Sequence, residues 1–219
     1  MVTATHVRVA GTWRRVTGFW VRVAGVWWQV VTILQGLSVA REQLAAASVG
    51  DFALFGGGRE DFTHRNTVDA YSRELTRSTP TALSAERELL AATSVGDFAL
   101  FGGGWDGIAA RNTVDAYNTA LTRSTPTALS VARYALAATS VGDFALFGGG
   151  WPTSAVVDAY NTALTRSTPT ALSVARGRLA AASVGDFALF GGGWDGIAAR
   201  NTVDAYDRNL NRLQSEGVI

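Results

Sequence analysis

The sequence predicts an all-β fold assembled from four tandem copies of one small antiparallel sheet. Three observations predict it. The run Gly-Asp-Phe-Ala-Leu-Phe-Gly-Gly-Gly begins at Gly50, Gly96, Gly142 and Gly185, each time inside a longer unit that opens Leu-Ser-x-x-Arg and closes Val-Asp-Ala-Tyr. The arginines of that unit, Arg41, Arg87, Arg133 and Arg176, recur at spacings of 46, 46 and 43 residues, a period that belongs to stacked or radial repeats. The 24 glycines, set among many Val, Thr, Phe, Tyr and Trp residues, favour strands and turns over helices.

The chain divides at about residue 35. In the first part, His6-Val-Arg-Val-Ala-Gly-Thr-Trp13 is echoed by Trp20-Val-Arg-Val-Ala-Gly-Val-Trp27. Val7 and Val9 alternate with Arg8, and Val21 and Val23 with Arg22, the period of a half-buried strand. Ala10-Gly11 and Ala24-Gly25 supply tight turns. The expectation is two β-hairpins of four short strands, too small a sheet to stand comfortably alone. Trp13, Trp20, Trp27 and Trp28 either pack within this sheet and on the next domain, or form an assembly patch where aromatic anchors dominate binding, or stack on a sugar.

The second part, 36–219, holds the repeats, near 37–82, 83–128, 129–171 and 172–213. In the third copy, Leu136–Val141 reads as a strand of small side chains and Gly142-Asp143 as a two-residue hairpin turn. Phe144–Phe147 is apolar on both faces, as in a sheet packed between two neighbours. Val156–Tyr160 is a third strand. Leu164–Leu172 is a polar fourth strand, which Pro169 confines to an edge or loop. Four antiparallel strands, small residues first and a Pro-bearing strand last, make the pattern of a propeller blade. A single blade exposes two apolar faces, so blades must stack and the ring must close. Four glycine motifs predict four blades. Val30–Leu34 is the preferred strand to complete the last blade beside Val203–Tyr206, with the tail Leu210–Leu213 competing for that place. The alternative is five blades, with the N-terminal meander as the fifth.

These residues resemble the kelch-repeat family. The paired glycines after an apolar strand match Gly56-Gly57, Gly102-Gly103, Gly148-Gly149 and Gly191-Gly192. The acidic-aromatic strand matches Asp69-Ala-Tyr71, Asp115-Ala-Tyr117, Asp158-Ala-Tyr160 and Asp204-Ala-Tyr206. The inter-blade structural arginines match Arg41, Arg87, Arg133 and Arg176. The tryptophan usual in the kelch fourth strand is absent, which points to a divergent bacterial or bacteriophage branch and away from ubiquitin-ligase adaptors. The N-terminal segment resembles Val-x-Val-x-Gly-x-Trp units of bacteriophage tail and other virion proteins. The resemblance implies a virion or tail-associated location, with assembly in the bacterial cytoplasm. It also implies protein or carbohydrate binding through the loops at one end of a β-propeller.

Copies differ chiefly in the connector between second and third strands. From it come the candidate ligand-binding residues Arg59, Glu60, His64, Arg65, Trp105, Asp106, Arg111, Trp151, Trp194, Asp195 and Arg200. Each tryptophan can stack on a sugar or peptide or fold over its own blade. Arg111 and Arg200 can pair with a ligand carboxylate. The repeat arginines either line an anion site at the channel mouth or bond to carbonyls of neighbouring blades.

A net charge of +1 gives no reason to expect a nucleic-acid partner. Without cysteine there are no disulfides or thiolate metal sites, which fits a reducing cytosol. No signal-peptide pattern and no membrane-spanning run are present. His6 and His64 have no partners at metal-ligand spacing, and no nucleophile elbow or phosphate loop occurs. The expectation is therefore a non-enzyme without cofactor or metal. It would be a virion recognition or decoration protein, partnered by a virion structural protein or a host surface protein or glycan, and able to self-associate through its N-terminal segment. The alternative is a soluble binding module of the bacterial cytoplasm; a propeller hydrolase or lyase ranks third.

Overall fold

The structure, a computed structural model, describes residues 34–213 in full and, before them, the backbone of three strands, Thr5–Val9, Thr12–Val23 and Val26–Thr32. These three form one antiparallel sheet in chain order. A single twelve-residue strand stands where two short strands were expected. Gly18 pairs with Val31 inside the ladder instead of turning the chain. Nothing between Trp13 and Val23 has the Asn-Gly or Pro chemistry that would break a strand. The turns expected at Ala10-Gly11 and Ala24-Gly25, and the side chains of Trp13, Trp20, Trp27 and Trp28, lie outside the described residues.

The repeats form four sheets. The first is Ala45–Val49, Phe52–Gly56, Val68–Tyr71 and Arg77–Ser78. The second is Ala91–Val95, Phe98–Gly102, Val114–Asn118 and Arg123–Ser124, and the third Ala137–Val141, Phe144–Gly148, Val157–Asn161 and Arg166–Ser167. The fourth has three strands, Ala180–Val184, Phe187–Gly191 and Val203–Tyr206. The hairpin turn fits its sequence: Val141 pairs with Phe144 across Gly142-Asp143, and Gly142 at φ +52° supplies the positive φ that a type II′ turn needs at its first central residue. The fourth strands are two residues long, and Pro80, Pro126 and Pro169, two residues beyond them, cannot donate to a ladder.

Val26–Thr32 is engaged with the N-terminal sheet, so the strand expected at Val30–Leu34 beside Val203–Tyr206 does not form. The tail takes that place. Arg212 bridges to Tyr206, and Leu213 N–H donates to Ala205 at 2.8 Å. A tail joined by one tight turn at Asp207–Leu210 loses far less chain entropy on docking than a segment more than 170 residues away.

Each sheet presents two unlike faces. One carries Ala, Val and Leu; in the second sheet these are Ala91, Val95, Leu100, Val114 and Ala116. The other carries Ala, Phe and Tyr; in the third sheet these are Ala145, Phe147 and Tyr160. The aliphatic face of each sheet packs on the aromatic face of the next, three times over. Burying one such Phe contributes about 1.5–3 kcal/mol. Phe and Tyr of one sheet meet edge to face, as Phe147 and Tyr160 do at 5.9 Å. Close approaches between neighbouring sheets are made by first and second strands. Between them runs a backbone ladder: Leu89 N–H donates to Gln43, Ala135 to Leu89, and Arg178 to Ala135, at 3.0, 2.8 and 2.8 Å.

The closed ring of four expected from the repeat count is not formed among the described residues. The aliphatic face of the fourth sheet is open to solvent, with Val184 62% and Val203 60% exposed where Val141 and Val157 are buried. At the other end Ala53, Phe55 and Tyr71 line a groove of about 460 Å³ with Leu34, Leu37 and Leu75. The ladder that begins at Gln43 ends at Arg178 instead of returning.

Candidate functional site

The repeat arginines make the frame on which the variable connectors stand. Arg133 donates to the carbonyl of Phe147 at 3.0 Å and pairs with Asp158 at 2.8 Å. Arg41–Asp69, Arg87–Asp115 and Arg176–Asp204 repeat this at 2.7, 2.7 and 2.9 Å. A second, partly exposed arginine leans on each carboxylate: Arg77, Arg123, Arg166 and Arg212. The backbone N–H of Ser38, Ser84, Ser130 and Ser173 donates to the same four aspartates. The unit Leu-Ser-x-x-Arg is thus a clamp for the aspartate of Val-Asp-Ala-Tyr. Burial pulls Arg87 and Arg133 below the ordinary arginine value, with the paired aspartates opposing it. Asp204 stays below the usual carboxylate value, because the Ser173 and Arg176 hydrogen bonds outweigh its burial.

These side chains therefore bond within their own sheet, where neighbouring-sheet carbonyls or an anion site had been expected. The bond between sheets comes from the arginine backbone, whose carbonyl at Arg87, Arg133 and Arg176 accepts from Gly58, Gly104 and Gly150 of the preceding repeat. The signal missed was the 28- and 25-residue recurrence of Asp after Arg, which pairs the two within every copy.

The glycine triplet ends the second strand and delivers the connector to one end of every sheet. There Glu42, Glu88, Tyr134 and Gly177 bridge to Arg59, Trp105, Trp151 and Trp194. The first connector is a small hairpin, Arg59–Glu60 against Thr63–His64. Arg59 lies 2.9 Å from Glu42 and 3.2 Å from Glu88 of the next repeat, and His64 lies 3.8 Å from Glu88. The Glu42 hydrogen bond, aided by the Glu88 charge, raises the Arg59 pKa against partial desolvation. Arg65 pairs with Glu60. Arg65 and Glu60 thus make a pair of their own, while Arg59 and His64 share one carboxylate cluster. Glu42 and Glu88, missed in the sequence, belong to it; each follows a repeat arginine at a position that varies between copies.

In the second connector Asp106 accepts from Ile108 and Ala109 N–H at 2.9 and 2.7 Å and pairs with Arg111. The fourth is built alike, with Asp195 accepting from Ile197 and Ala198 and pairing with Arg200. The backbone donors, Ala109 and Ala198 foremost, hold both carboxyls at about 2. Arg111 and Arg200 therefore already have a carboxylate inside their own loops. Trp105 rests on Tyr134 of the next repeat, ring centroids 5.3 Å apart. Trp151 is half-buried opposite Gly177, and Trp194 is exposed.

The first and second connectors touch, and so do the third and fourth: a side chain built on Gly107 would meet His64, and one on Gly196 would meet Thr153. In the first, second and fourth the outer tip is apolar. Phe62, Ile108 and Ile197 are 92%, 85% and 84% exposed. Sequence reasoning passed over these three because tryptophan and charge drew attention to the loop stems. No group of three or more His, Asp or Glu residues disposed to hold a metal occurs among the described residues, and no described helix is long and apolar enough to cross a membrane. Neither models of known protein families nor curated proteins match this chain.

Proposed function

We propose that the chain is a recognition module whose four sheets are kelch-like propeller blades and whose connector row is its binding edge. The observation that carries this reading is the display of Phe62, Ile108 and Ile197 on loops whose arginines already have carboxylate partners in the chain. Large apolar side chains held outward on rigid stems favour a protein surface as partner. The N-terminal sheet would dock the module on a bacteriophage virion or tail. Support for the blades comes from neighbouring sheets meeting through their first and second strands, the wedge shape expected of a blade.

A glycan partner is the second reading, favoured by the exposure of Trp194, whose indole is the kind of surface on which a sugar stacks. Protein and glycan arrays probed with the chain and its Phe62→Ala, Ile108→Ala, Ile197→Ala triple variant separate the two. Loss of protein binding in the triple variant supports the first. Glycan binding lost only in Trp194→Ala supports the second. Electron microscopy of labelled particles tests the location, and a chain found only free in solution overturns the virion assignment.

A further inference from the structure

The two open ends of the row are halves of an interface that the chain makes three times internally. At each internal junction a glycine closing the second strand receives a phenylalanine from the next sheet. A Cβ built on Gly56, Gly102 or Gly148 would lie 2.9, 2.8 or 2.7 Å from Phe101, Phe147 or Phe190. Gly191 is the same position in the fourth sheet, and there the nearest atom is Val203 Cγ2 of its own sheet at 3.7 Å. The phenylalanine without a glycine to receive it is Phe55, in the groove at the other end. The turns repeat the relation. Gly50 abuts Thr119 and Gly96 abuts Thr162, whereas Gly185 meets nothing within 4 Å, and the residue equivalent to Thr119 in the first sheet is Arg73.

We propose that a second copy of the chain docks head to tail, its first sheet covering the Val184, Leu189 and Val203 face of the fourth. Phe55 of the second copy then sits over Gly191, and its Gln43 N–H extends the ladder to the Arg178 carbonyl. Its Arg41 carbonyl accepts from Gly193, as Arg176 does from Gly150. Such a contact is heterologous and leaves an equal pair of faces open until it closes. Two copies of four sheets would close into one ring of eight, within the about four to eight blades that propellers hold. The contact needs only the sheet faces; the ring of eight rests on the blade reading proposed above.

The chain has no cysteine, so introduced thiols report without background. A Cβ on Gly50 would lie 3.5 Å from Thr119 Cβ, within disulfide range, which makes Arg73 and Gly185 the matching pair. The full chain carrying Arg73→Cys is mixed with the full chain carrying Gly185→Cys under oxidation. The expected result is a cross-linked species of twice the chain mass, with neither variant cross-linking alone. Sedimentation of the unmodified chain should give a dimer, and Val184→Glu, on a face exposed in the single chain, should abolish it while leaving the thermal transition of the dilute chain in place. Open polymers carrying the same cross-link would uphold the contact and overturn the eight-blade ring. A monomer at high concentration with no cross-link in the mixture overturns the proposal. So does a disulfide that forms only within one chain carrying both substitutions, because the four sheets would then close on themselves.

Discussion

The guanidinium of Arg133 lies 2.8 Å from the carboxylate of Asp158, and neither side chain is exposed to solvent. Removing one member strands the other as a buried charge. Arg133→Ala should therefore destabilise the chain by about 3–5 kcal/mol, measured by denaturant unfolding. The exposed pair Arg73–Asp51 makes the same chemical contact in water, and Arg73→Ala should cost at most about 1 kcal/mol. Equal losses in the two variants would remove the clamp from its place as the frame of the sheets.

Gly148 and Gly191 occupy the same strand position in adjacent sheets and should respond oppositely to a methyl group. In Gly148→Ala the new Cβ would press on the Phe190 ring at 2.7 Å, and overpacking of this kind costs about 1–3 kcal/mol. Gly191→Ala has 3.7 Å of clearance and should stay within about 0.5 kcal/mol in the dilute chain. Denaturant midpoints at low protein concentration check both.

Asp106 and Asp195 titrate at about 2, below the ordinary 3.8. A carboxyl depressed in the folded state contributes stability that is complete above its unfolded pKa and is lost as pH falls through the folded one. The two connectors should therefore hold their shape at pH 5 and loosen between about pH 4 and 2. Amide exchange at Ile108, Ala109, Ile197 and Ala198 should accelerate in that window. Asp106→Asn and Asp195→Asn should flatten the pH dependence of exchange in their own loops.

Trp105 is held by Tyr134, and among the described residues no such ring pairs with Trp194. Trp105→Ala should cost about 1–3 kcal/mol, from lost burial and the aromatic pair. Trp194→Ala should cost less than about 1 kcal/mol. Thermal unfolding of the two variants measures the difference. A large loss at Trp194 would show that its indole is structural after all.

Much of this was legible along the chain. The Gly-Asp hairpin and the double-sided Phe-Ala-Leu-Phe strand follow from local chemistry, and the structure places them at the expected residues, whereas the polar strand expected over Leu164–Leu172 is reduced to Arg166–Ser167. Other features were not legible. Two short strands expected between Trp13 and Val23 are one, because a Thr-Gly pair without turn chemistry can be carried through a ladder. Arg111 and Arg200 looked free for a ligand until the connector folded back and set Asp106 and Asp195 against them. The exposure of Phe62, Ile108 and Ile197 depends on which side of each loop faces the sheets, and residue type does not encode that.

The sequence by itself determined the repeat, the strands within it and the apolar character of both faces of the second strand, because period, turn residues and side-chain type act over a few residues. Only the tertiary structure decided that four sheets leave their ends apart. Each junction sets an aliphatic face on an aromatic one, so the code for joining the fourth sheet to a first one is written alike whether that first sheet belongs to the same chain or to another. What separates the two cases is how the sheets pack over the whole row, which no local pattern encodes.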